Sequence, residues 1–196
     1  MVIALMNKTH LFLAFIILSS SAFSQKVLVN VFMQDKVTTP KSDTIYYDVN
    51  KHLTWADFKG KPDPNHFGGA ITASGFAFDA DIKIEGKIIY LNIGVYTFFN
   101  KRKSWKKSNI NSDYHLLHEQ RHFDITRLAA EYFINEVVKA KFTKANYNQL
   151  MNELFDKAYT YCTTLQNEYD SETNHSINKD MQLSWNDKIA LEISKL

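Results

Sequence analysis

The chain has 196 residues, 45% of them hydrophobic, and carries 23 Lys and Arg against 21 Asp and Glu, a formal net charge of +2. A balance this close to neutral excludes nucleic acid or an anionic membrane as a partner held by bulk charge. The single cysteine, Cys162, cannot close an internal disulfide, so the fold must rest on its core or on a bound metal, and Cys162 itself reads as a small buried apolar residue.

Residues 1–24 read as a secretory signal peptide. Lys8 supplies the positive n-region, Leu11 to Leu18 form an apolar core, and Ala22-Phe23-Ser24 is a small-x-small cleavage site that leaves Gln25 first in the mature chain. The apolar run falls short of the ~20 residues that span a bilayer, so no membrane span is expected once the signal is removed. No cysteine stands at the cleavage point to take a lipid, and export to periplasm or medium is the expected outcome. Residues 25–196 are expected to form one domain.

The mature chain opens with β-structure. Val27 to Phe32 and Thr44 to Tyr47 are short β-prone runs separated by a polar connection containing Pro40. Trp55 and Phe58 are spaced for one helical turn. Pro62, Pro64 and Gly68-Gly69 then mark a loop that carries His66, a solvated loop histidine by position. Ala70 to Ile84 and Lys87 to Phe99 form a hairpin through Glu85-Gly86. In its second strand Ile89, Leu91, Ile93 and Val95 share a face. That strand is expected to be an edge lining a cleft, where an extended peptide could pair with it. Lys101, Arg102, Lys103, Lys106 and Lys107 surround Ser104-Trp105 and read as a solvated connection, with Trp105 folded back onto the core.

Three helices follow. Ser112 as N-cap, Asp113 in the first turn, and apolar residues at Leu116, Leu117, Phe123, Leu128, Ala129, Phe133, Ile134 and Val137 predict a helix to about Lys139. A second is predicted from Thr143 or Lys144 to about Tyr169, burying Leu150, Leu154, Tyr161 and Leu165. After a polar turn, a third runs from about Lys179 to Ser194 with Trp185.

The first helix carries His118-Glu119-x-x-His122. Residues four apart return to nearly the same helical face, so His118 and His122 can offer two imidazole nitrogens to one tetrahedral metal. Glu119 projects about 100° away, beside the metal and not on it, where a carboxylate can deprotonate a water that the metal activates. Catalytic zinc sites use three protein ligands. The extended motif would place the third six residues after His122, but Leu128 stands there. His115 is displaced along the helix axis by about 4.5 Å, which suits a supporting role. The third ligand is left to Glu153 or Asp156 on the second helix, or to His175 in the turn after it, which an antiparallel helix pair brings back toward the motif. Of these His175 is favoured. Tyr169 and His115 are candidates for stabilising an oxyanion.

Several blocks together resemble a known bacterial family. Leu53-Thr54-Trp55-x-Asp57-Phe58-x-Gly60, Ala70-x-Thr72-x-Ser74-Gly75, Lys103-Ser104-Trp105, His118-Glu119-x-x-His122-Phe123-Asp124-Ile125 and Tyr169-Asp170-x-Glu172-Thr173-x-His175 are similar to the domain of unknown function 922. That family is described as predicted secreted, zincin-like zinc-dependent proteases. The resemblance implies an α+β zincin-like architecture: a twisted N-terminal sheet, the motif helix, then a long second helix. It also makes His175 a motif residue. The resulting expectation is a secreted zinc metallopeptidase acting on a peptide or protein, with Zn2+ on His118, His122 and His175 and with Glu119 as general base and acid. The alternative is a secreted zinc-binding or adhesion module without turnover, which would have no use for Glu119. Substrate preference and oligomeric state are left open.

Overall fold

The computed structural model describes residues 25–196; the expected signal peptide, residues 1–24, lies outside them. The architecture is α+β. The strands are β1 (Lys26–Met33), β2 (Thr44–Tyr46), β3 (Ala70–Ile71), β4 (Ser74–Glu85), β5 (Ile88–Asn100) and β6 (Trp105–Lys106). The helices are α1 (Asp113–Lys139), α2 (Tyr147–Thr173) and α3 (Lys179–Ile193). A short 3-10 turn at Trp55–Asp57 occupies the position read as a single helical turn.

The alternation in β5 holds. Ile89, Leu91, Ile93 and Val95 are buried and pack with Phe133, Val137 and Ala129 of α1 and with Leu154 and Ala158 of α2. Each such side chain contributes about 1.5–3 kcal/mol when taken fully out of water. β5 is not an edge, however. β4 pairs antiparallel along its whole length, while β1 runs parallel beside Ile88 to Val95 and β2 antiparallel beside Phe98 to Asn100. Side-chain alternation reports which face of a strand is covered; it carries no information about the backbone edges, which are satisfied by partners distant in sequence.

The run from Ala70 to Ile84 also divides. β3 pairs with β6 in a separate two-stranded ribbon, and the chain crosses into β4 at Thr72-Ala73. The fully buried Ser104 accepts the Ala73 N–H at 2.9 Å, and Ala73 in turn accepts from the Asn100 N–H at 2.8 Å. This crossing places Thr72 beside α1. Gly60 closes the same corner: its N–H donates to the Ser104 carbonyl at 2.7 Å, and a Cβ there would lie 2.6 Å from the Arg102 carbonyl oxygen, so only glycine fits. Within the basic connection, Lys101 is buried against Asp57 at 3.4 Å, whereas Arg102 and Lys103 are exposed.

α1 starts where its cap demands, with the Ser112 hydroxyl accepting from the His115 N–H. α2 starts later than its apolar spacing suggests. Asn146 Oδ1 accepts the Thr143 N–H at 2.7 Å and holds residues 143–146 in a polar turn that competes with helix. α2 then runs past Tyr169 to Thr173. Among the described residues no helix is long and apolar enough to cross a membrane.

One buried carboxylate orients α1. Asp124, 2% exposed, accepts from Tyr47 at 3.0 Å, from Gln120 Nε2 at 2.8 Å and from Arg121 at 2.7 Å, while Gln120 Oε1 accepts the Leu53 N–H. These bonds fix α1's rotation about its axis, and therefore the direction of His118 and His122. Asp124→Ala would strand the buried partners and is expected to cost about 3–5 kcal/mol, measured by urea denaturation.

Candidate metal centre

α1 carries His118 and His122 on one face, and their Nε2 atoms lie 3.2 Å apart. α2 packs against α1 and brings Asp170, in its last turn, onto the same point: Oδ1 is 3.2 Å from His118 Nε2 and 3.1 Å from His122 Nε2. Ligands at 2.0–2.1 Å from a tetrahedral ion are separated by about 3.3 Å, so the three atoms form the face of such a tetrahedron. Asp170 Oδ1 is buried and accepts no hydrogen bond of proper direction, although both rings are within reach. A buried, unsatisfied carboxylate oxygen facing two ring nitrogens has the chemistry of a cation site. His118, His122 and Asp170 could therefore hold a metal ion.

His175 stands at the margin of this triangle. Its Nδ1 is 3.5 Å from Asp170 Oδ1, its side chain is 42% exposed, and its ring meets Phe67 edge-on. It belongs to a turn in which Asn174, His175 and Ser176 all have positive φ, at 47°, 51° and 69°. Three consecutive left-handed residues without glycine are strained. The turn is held by the Asn174 and His175 N–H groups on the Asp170 carbonyl and by the Tyr114 hydroxyl on the Ser176 carbonyl. Glu153 and Asp156 lie 17 and 14 residues before Asp170 on the same helix, or about 25 and 21 Å along its axis, and do not reach the histidines. Asp170, within the Tyr169-Asp170 block of the sequence, is the carboxylate that does.

Glu119 is 6% exposed beside the triangle. The Thr72 hydroxyl lies 2.7 Å from its Oε2 and 3.1 Å from its backbone carbonyl. Tyr169 is fully buried and stacks on His118, with its hydroxyl toward the His118 carbonyl, which is a packing position. His115 pairs with Ser112 at the rim. His66 Nδ1 accepts the Gly68 N–H, and its ring stacks on Phe67. Cys162 is half-buried, and its burial raises the pKa of the thiol. A cleft of about 810 Å³ runs over the site, walled by residues 66–72 on one side and by the end of α2 on the other.

Burial works against charge on His122, but its bond to Asp170 and the charges of Glu119 and Asp170 outweigh that, and its pKa lies above the ordinary 6.5. Burial likewise opposes charge on Asp170, and the two histidines overcome it, holding the carboxyl far below 3.8. In metal-free protein a raised histidine contributes stability that is complete below 6.5 and is lost as pH rises through the folded value. The depressed carboxylate contributes above 3.8 and loses that contribution only in strong acid. Chelator-treated protein is therefore expected to melt at a lower temperature at about pH 8.5 than at about pH 6. Added zinc should stabilise more at the higher pH, because it binds the neutral ring. Differential scanning calorimetry checks both.

Comparison with known proteins yields no match among curated proteins and none among solved structures. A match does come from a model of bacterial proteins of unknown function, over residues 99–176, which span the end of β5, all of α1 and α2, and the left-handed turn. Over that segment, which includes His118, Glu119, His122, Asp170 and His175, the chain belongs to the family of bacterial proteins of unknown function DUF922.

Proposed function

We propose that this protein is an exported zinc-dependent peptidase with a zincin-like active site, acting on peptides or proteins laid along the cleft. The observation that carries the reading is a carboxylate in the right relation to a metal-binding triangle: Glu119 shares the face of α1 with the two histidines, is absent from the triangle, and is oriented by Thr72. A module that only bound metal would have no need of it.

Zinc on His118, His122 and Asp170 would supply Lewis acidity, bringing a water's pKa from roughly 15.7 toward about 7 and polarising a carbonyl. The chain's own groups account for the remainder. Thr72 engages Glu119 Oε2 and fixes the carboxylate's rotation, leaving Oε1 to take the proton from the attacking water and return it to the departing amine. Neutral imidazoles and a single carboxylate leave the ion a net positive charge with which to attract an electron-rich carbonyl. His175, exposed at the mouth of the cleft beside Asp170, is placed to meet substrate or to steady that carboxylate. With β5 internal to its sheet, the segment nearest the site that can align an extended peptide is 69–72, in the cleft wall.

Glu119→Gln is expected to keep bound zinc, as read by elemental analysis, while cleavage of a diverse peptide library falls by about a thousandfold. Unchanged cleavage would leave a binding module as the better description. Asp170→Ala should reduce zinc affinity by about a hundredfold or more, and His175→Ala by about tenfold or less. The reverse order would make His175 the third ligand.

A further inference from the structure

We propose that Gln166 and Gln182 are the positioning residues of the metal centre, each taking the Nδ1 proton of one motif histidine and so aiming that ring's bare Nε2 at the metal. The inference rests on the metal-binding reading above and adds to it the reason why both rings present the same nitrogen.

His122 Nδ1 makes a close hydrogen bond with Gln166 Oε1, and His118 Nδ1 lies 2.8 Å from Gln182 Oε1. Either partner of a histidine–amide contact could in principle donate, and the rest of each amide decides which does. Gln166 Nε2 is 2.8 Å from the His122 backbone carbonyl and 3.2 Å from Thr126 Oγ1. A carbonyl only accepts, so the nitrogen of the amide faces it and the oxygen faces the ring. That oxygen has no proton to give, hence His122 Nδ1 carries one. In the neutral ring Nε2 is then a free lone pair.

His118 is governed in the same way with one more link. The Tyr169 hydroxyl points at the His118 carbonyl, 3.4 Å away, and its oxygen accepts from Gln182 Nε2 at 2.5 Å. The same Nε2 lies 3.0 Å from Asn186 Oδ1. Gln182 is fully buried, so no solvent can substitute for either end of its amide. Each histidine is thus held by a closed circuit: ring proton to glutamine oxygen, glutamine N–H back to that histidine's own backbone carbonyl, directly for His122 and through Tyr169 for His118. Only an amide can be acceptor at one end and donor at the other, which is why glutamine stands at both places.

The second circuit also assigns a role to α3. Gln182 lies beyond residues 99–176, so the family segment by itself does not contain the group that orients His118.

Two measurements on the full mature chain test this. In metal-free wild type at about pH 9, where the rings are neutral, the imidazole nitrogen chemical shifts should show both His118 and His122 protonated at Nδ1. A proton on Nε2 of either ring overturns the inference. Zinc affinity, measured by chelator competition, should fall about 10–100-fold in Gln166→Met and in Gln182→Met, where shape is kept but the acceptor is lost. Most of that loss should be recovered in the corresponding Glu variants, which restore the acceptor. Methionine variants within about threefold of wild type also overturn it. The ring shifts need no metal, so wild type that binds no zinc would count against the metal centre and not against the orientation of the rings.

Discussion

Two imidazole nitrogens and a carboxylate oxygen drawn to within 3.1–3.2 Å of one another are the constraint on which the rest of this fold depends. Three electron-rich atoms do not gather at such distances for their own sake. Something must hold the helices that bear them, and something positive must make the arrangement favourable. In the metal-free chain a proton on His122 plays that part, which is why its affinity for a proton is raised. A divalent ion would do so more completely, since it can engage all three donors at once.

The scaffold does the holding through two sets of contacts. Toward the sheet, Phe133, Ala129 and Val137 press α1 onto β5, and Asp124 ties its rotation to Tyr47, Gln120 and Arg121. Toward the other helices, Ile125 and Tyr169 pack with Trp185 and Ile189, so that α2 and α3 close on the motif from the far side. The site sits where these contacts meet. Its precision is inherited from packing, and its chemistry from the few polar groups that packing leaves uncovered.

Much of this could be read from the residues alone. The α1 boundaries followed from the Ser112 cap and the apolar spacing, and the pair of histidines four residues apart converges in the structure as the helical period requires. What escaped were relations between elements. That β5 is internal depends on pairings with β1, β2 and β4, none of which leaves a trace in β5's own alternation. Asp170 had one local signal: a carboxylate in the last turn of a helix opposes the helix dipole, so its presence there calls for another partner. Gln166 and Gln182 had none, because a glutamine on a helix is ordinary until the ring beside it is known. Thr72 stood in a conserved-looking block of small polar residues, but its reach to Glu119 arises from the crossing between β3 and β4, a break invisible in a continuous apolar run.

The left-handed turn at residues 174–176 has a consequence for how this chain can vary. The backbone oxygen of Asp170 receives the amides of Asn174 and His175, while its side chain closes the triangle on α1, so one residue is anchored at both ends. Lengthening or shortening the path between α2 and α3 by even one residue would tug on that anchor, and would carry Gln182 away from His118 at the same stroke. The connection is a spacer of fixed gauge, as much a part of the centre as the side chains that point into it.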